Sequence, residues 1–126
     1  TLLESGYDFC SGWYIKELSG LAMVADWDED YFESNLHMKF YHQDEIRQRE
    51  EPFEASYCGF GFTKVASSII RELEYPYFRQ RMVTIGNHSE NCSEDVTFCL
   101  DVWEKCGIKP TILPELRVNH LKEMYI

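Results

Sequence analysis

The sequence predicts a mixed α/β unit, and three observations carry that expectation. Apolar, aromatic-rich runs at Tyr7 to Ile15 and Leu21 to Trp27 read as buried strands. Apolar residues then recur twice at helical spacing, as Ala66, Ile69, Ile70 and Leu73 and as Val96, Cys99, Leu100 and Trp103. A Pro-interrupted apolar segment, Ile108 to His120, ends the order as a last strand. Strands on either side of helices give a mixed sheet with flanking helices. At 126 residues the chain suits a single domain spanning 1–126 and is too short for two.

Taken in order, the first strand candidate carries a Ser11-Gly12 break. The second ends in the acidic run Asp26-Trp27-Asp28-Glu29-Asp30, which reads as a solvated loop. Between Tyr31 and Glu51 neither period is clear, so that stretch is read as loop with some strand. Phe53 to Phe62 is apolar and glycine-punctuated, and Thr63 offers a hydroxyl to cap the first helix. Pro76 stops that helix. Tyr75 to Thr84 reads as an aromatic-rich loop or short strand, and Gly86 to Ser93 as a polar loop. The clearest helix starts at Ser93, with Glu94 and Asp95 placing negative charge in its first turn. Val96, Cys99, Leu100 and Trp103 make its expected buried stripe, and Gly107 follows its end.

Composition narrows the function classes. The chain is 44% hydrophobic, 15% aromatic and 27% charged, an ordinary folded composition. Twelve basic against 22 acidic residues give a net charge of −10, which repels phosphate backbones and argues against nucleic acid as a partner. No apolar run reaches the roughly 20 residues of a membrane span. Cysteines at 10, 58, 92, 99 and 106 are odd in number and form no C-x-x-C, so they read as reduced thiols in a core. That points to the cytoplasm. The triplets Asn87-His88-Ser89 and Asn91-Cys92-Ser93 match glycan acceptors, but patterns this short are common by chance.

The chemistry-bearing motifs stand in one order. Asp8-Phe9-Cys10-Ser11-Gly12-Trp13-Tyr14 comes first, then Gly59-Phe60-Gly61-Phe62 with its helix and Tyr75-Pro76-Tyr77-Phe78. Ser93-Glu94-Asp95-Val96-Thr97-Phe98-Cys99, Gly107 and Pro114-Glu115-Leu116-Arg117-Val118-Asn119-His120 follow. The ordered set resembles the C-terminal, acceptor-side half of family-2-like glycosyltransferases of the GT-A fold, with their "ED-x-x-F-C … G … P … V-x-H" end. The resemblance covers nearly the whole chain. It implies transfer of a sugar from a nucleoside-diphosphate-sugar donor to an acceptor hydroxyl, with inversion. It also implies Mn²⁺ or Mg²⁺ on the donor diphosphate, and a nucleotide-binding half carrying a metal-binding D-x-D element before Thr1. With Thr1 to Gly6 reading like the last turn of a helix, the chain is expected to begin mid-domain and to be inactive alone.

Roles carried over by the resemblance fall on matching positions. Asp95 becomes the general base and Glu94 a neighbouring acceptor contact; a carboxylate on a rigid helix start suits proton removal from an incoming hydroxyl. The alternative for both is complementing the helix dipole. His120, at the end of the last strand, becomes a metal ligand, where imidazole suits Mn²⁺ better than Mg²⁺. Gly59, Phe60 and Gly61 become substrate contacts, since glycines allow close approach; a tight turn before a helix accounts for them equally well. Trp13, Trp103 and Tyr57 are candidates to stack on a sugar or base, with the core preferred for Trp103 from its place in the helical stripe. Asp26-Trp27-Asp28 spells D-x-D but stands after the segment that follows that element in the matching enzymes. His37, His42 and His88 are read as surface or loop residues.

Two other readings remain. A non-catalytic, transferase-like module would self-associate through an uncovered sheet edge. A metal-dependent hydrolase would need Asp26, Asp28 and His120 to converge on one cation.

Overall fold

The structure is a computed structural model describing residues 2–15, 20–85 and 88–118. It is mixed α/β, as the sequence predicts. A four-stranded sheet of mixed direction has the order β4 (Phe53–Glu54), β9 (Thr111–Arg117), β1 (Phe9–Trp13), β6 (Thr63–Val65). β1 runs parallel to β9 and antiparallel to β6. A three-stranded antiparallel sheet, β3 (Lys39–His42), β2 (Leu21–Asp26), β5 (Tyr57–Cys58), joins the first sheet through a bridge between Ile15 and Ala22. β7 (Arg81–Ile85) and β8 (His88–Cys92) form a separate hairpin.

β1 is buried at every position because both of its faces are covered, Phe9 and Trp13 by the main core and Cys10 by a second cluster with Leu2 and Leu113, and Gly12 continues the strand instead of breaking it. Pro114 cannot donate to a ladder. The register accommodates it: Ser11 pairs with Ile112 but Trp13 with Arg117, so β9 bulges across 113–116. The bulge aims the Pro114 carbonyl at the Trp13 indole N–H, which donates to it at 2.8 Å.

Several expectations fail for identifiable reasons. The acidic run is not a solvated loop: Asp28 caps α1 (Glu29–Asn35), accepting the Tyr31 N–H at 3.1 Å. The stretch read as loop holds α1, β3 and α2 (Gln43–Arg47), the last closed by a capping box between His42 and Glu45. Helices of 7 and 5 residues are too short to show a period. Thr63 lies in β6 and does not cap α3 (Ser67–Glu72), whose N-cap is Ala66; its hydroxyl pairs with Ser11 Oγ at 3.0 Å. The polar stretch before Ser93 contains β8, a strand whose partner is only the hairpin strand β7.

α4 (Glu94–Cys106) matches its expected bounds, with Gly107 as left-handed C-cap, although the Ser93 side chain makes no capping bond. Its buried face differs from the expected stripe. Thr97, Phe98, Cys99 and Val102 are buried, and Trp103 is 48% exposed. Phe98 is the reason. It stacks on Phe78 at 4.6 Å and meets Phe9 and Phe60 edge-on at 6.0 and 5.1 Å, fixing the helix rotation from the aromatic centre of the core.

Candidate functional site

Asp95 sits in the first turn of α4, one turn ahead of Phe98 and Cys99. Residues three and four apart share a helix side. Asp95, which precedes both buried Phe98 and buried Cys99 by one turn, is half-buried, while Glu94 is exposed.

Two phenols lie within the field of the Asp95 carboxylate. Tyr57, on β5, is buried; burial first, then the Asp95 charge, pushes its hydroxyl well above the ordinary value. Tyr14, just past β1, is raised in the same way, by burial and then by Asp95. Both effects disfavour a second negative charge beside the first. Beneath them, the Cys58 thiol is raised by its hydrogen bond with Cys99 and by burial, against the opposing Ser11 and Thr63 hydroxyls.

The glycines complete the arrangement. A Cβ on Gly59 would run into the Tyr14 hydroxyl and Cζ, and one on Gly61 would stand 2.8 Å from Tyr14 Cε1. The Gly59-Phe60-Gly61 backbone is thus a berth for the chain's own tyrosine. Phe60 packs edge-on against Phe9, Phe78 and Phe98. Trp13 is 1% exposed and held in the core by its bond to Pro114. Successive strand residues point to opposite faces. The side chain aimed at the Asp95 region is accordingly Tyr14, one position beyond the tryptophan singled out from sequence. Tyr14 closes the first motif run, so its place in that run was the available signal.

His120 lies outside the described residues. Among the described residues, no group of three or more His, Cys, Asp or Glu side chains could hold a metal ion. Asp26 and Asp28 are committed separately: Asp26 accepts the Tyr41 hydroxyl and the Ser56 N–H, and Asp28 caps α1. Their carboxylates serve different local structures, which removes the support for a shared cation there. All five cysteines are free thiols, with Cys10, Cys58 and Cys99 buried. No helix among the described residues is long and apolar enough to cross a membrane.

Beside this cluster a groove of about 810 Å³ opens between α4, α1 and the β7–β8 hairpin. The expected core stripe of α4, Val96, Cys99, Leu100 and Trp103, forms one wall of it. Tyr57 and Ser93 also line it, at the end nearest Asp95. No family model, curated protein or solved structure matches the chain.

Proposed function

We propose that this chain carries the acceptor side of a glycosyltransferase that uses nucleoside-diphosphate sugars, with Asp95 as general base. One observation carries the reading. Three segments behind the resemblance come together at Tyr14: it closes the first, it packs against Gly59 and Gly61 of the second, and the charge of Asp95 in the third acts on its hydroxyl. In the reaction, Asp95 takes the proton of the acceptor hydroxyl as that oxygen bonds to the anomeric carbon. The bond from that carbon to the phosphate oxygen breaks on the opposite face, the nucleoside diphosphate leaves, and the configuration inverts. Glu94, exposed beside Asp95, serves as an acceptor contact. Mn²⁺ or Mg²⁺, with His120 as its proposed ligand, would assist departure of the diphosphate.

The test uses the protein expressed from its whole gene, supplied with UDP-, GDP- and dTDP-sugars, Mn²⁺ and candidate acceptors, with products read by mass spectrometry. Asp95→Asn is expected to lower transfer by about 10²–10⁴-fold with the fold intact by circular dichroism. Full transfer by that variant removes Asp95 as base, and no transfer from any donor by the wild type sinks the whole reading.

A second reading has its own observation. β6 is an edge strand of the four-stranded sheet, and beside it Leu3 is 81% exposed next to Phe62 in a hollow of about 560 Å³. Among the described residues β6 is unpaired on its outer side, and such an edge invites a second copy. A size-exclusion mass near twice 14.9 kDa that Phe62→Glu returns to the monomer supports it; a wild-type monomer at all concentrations rejects it.

A further inference from the structure

We propose that the groove on the outer face of α4 is a saccharide site whose occupant is a neutral oligosaccharide stacked on Trp27 and Trp103. The inference rests on the transferase reading in one respect only, that this saccharide is the acceptor.

The size fits, since ligand clefts run from about 300 to 1,000 Å³. Two indoles from different elements stand at its walls. Trp27 precedes α1 and is 44% exposed, although it leans on Phe32 at 5.2 Å; Trp103 projects from α4. Large aromatics left in the open mark binding surfaces. A ring face carries the negative end of its quadrupole, which suits the weakly positive C–H face of a sugar ring. Lys109 sets its ammonium over one face of the Trp103 ring at 5.0 Å.

Charge selects the class of occupant. The groove holds two cations, Arg81 and Lys109, and two carboxylates, Glu29 and Glu104, within a chain of net charge −10. Arg81 is already engaged: it donates to both Glu104 oxygens at 2.9 and 3.0 Å and to Asp101 at 3.0 Å. A phosphate or an acidic peptide therefore finds no surplus positive field, and a basic ligand no surplus negative one. A neutral saccharide can set its C–H faces on the apolar side chains that dominate the lining, Trp27, Leu36, Leu100 and Trp103 among them, and its hydroxyls on Asn91 and Thr84. The end lined by Tyr57 and Ser93 adjoins Asp95, where an acceptor hydroxyl would be needed.

The chain's three tryptophans make the test self-controlled. Indole N–H resonances of the ¹⁵N-labelled chain are followed while neutral hexasaccharides of glucose, N-acetylglucosamine, mannose or galactose are added to about 5 mM, enough to detect millimolar affinity. One of these sugars is expected to move the Trp27 and Trp103 signals and leave Trp13, buried and bonded to Pro114, in place. Trp103→Ala is expected to weaken that sugar about tenfold. No movement with any of the four sugars overturns the proposal. So does the same movement produced by raising protein concentration alone, which makes the occupant a second copy. Asp95→Asn separates the two readings. Saccharide shifts retained in that variant, with no transfer from any donor even in the wild type, uphold the groove and sink the transferase. Transfer without indole shifts does the reverse.

Discussion

The hydroxyl of Tyr14 occupies the space that any side chain on Gly59 would need. Met23 Cβ, 3.0 Å from the same point, closes the other direction. Gly59→Ala is therefore expected to cost about 1–3 kcal/mol, the usual penalty for an added methyl in a packed site. Measured in a Tyr14→Ala background, the same substitution should cost at least about 1 kcal/mol less, because neighbours are coupled. Urea unfolding of the four proteins gives the cycle; equal costs in both backgrounds would show that the tyrosine is not the obstacle.

Tyr41 has a second consequence for pH. Burial, then its bond to the Asp26 carboxylate, pushes its hydroxyl up to about 12 from the ordinary 10. The folded chain thus keeps a proton that the unfolded chain has begun to lose. Stability from this group is complete below pH 10 and drains away as pH rises through 12. Tyr41→Phe should flatten the alkaline fall of the melting temperature across that window and leave the acid side unchanged.

The β7–β8 hairpin is tied to α4 through Arg81, which bridges Asp101 and Glu104. These pairs lower the Glu104 carboxyl and raise the Arg81 guanidinium. The Glu104 contribution is present above the ordinary carboxylate range and is lost as pH falls through its lowered value. As the partners are partly exposed, Arg81→Ala should change global stability by less than about 1 kcal/mol. Amide exchange is the sharper measurement: protection should fall across 81–85 and 88–92 while β1 and β9 keep theirs.

The thiols divide by access. Maleimide at neutral pH should modify the half-buried Cys92 and Cys106 first, and Cys10, Cys58 and Cys99 only on unfolding. Mass mapping reads the order, and early labelling of Cys58 would contradict the packing around it.

How much of this was legible beforehand follows from length and surroundings. β1, β2, β9 and α4 showed in the sequence because each carries a long apolar run or a two-turn period. α1 and α2 did not, because one or two turns give no repeat to detect. β8 stayed hidden because a hairpin pairing only with β7 has no need of an apolar face. The α4 error is the informative one. Val96, Leu100 and Trp103 form as good a stripe as Phe98 and Val102, and helical spacing cannot say which of two apolar rows meets the core. The aromatic partners Phe9, Phe60 and Phe78 decide it, and they come from distant parts of the chain. The same limit applies at the site: Asp95 was named from its motif, but the reach of its charge to Tyr14 and Tyr57 depends on distant segments meeting one helix start.

The central place of β1 governs how the molecule must be made. Its neighbours are β6 and β9, so residues 9–13 wait for 63–65 and then for 111–117 before they are flanked on both sides. During synthesis β1 is paired on one side only, by β6, until β9 has been made. Contacts this distant in sequence slow folding and prolong exposure of sticky backbone. An aromatic-bearing strand held half-open that long makes nascent chains the form most dependent on chaperones.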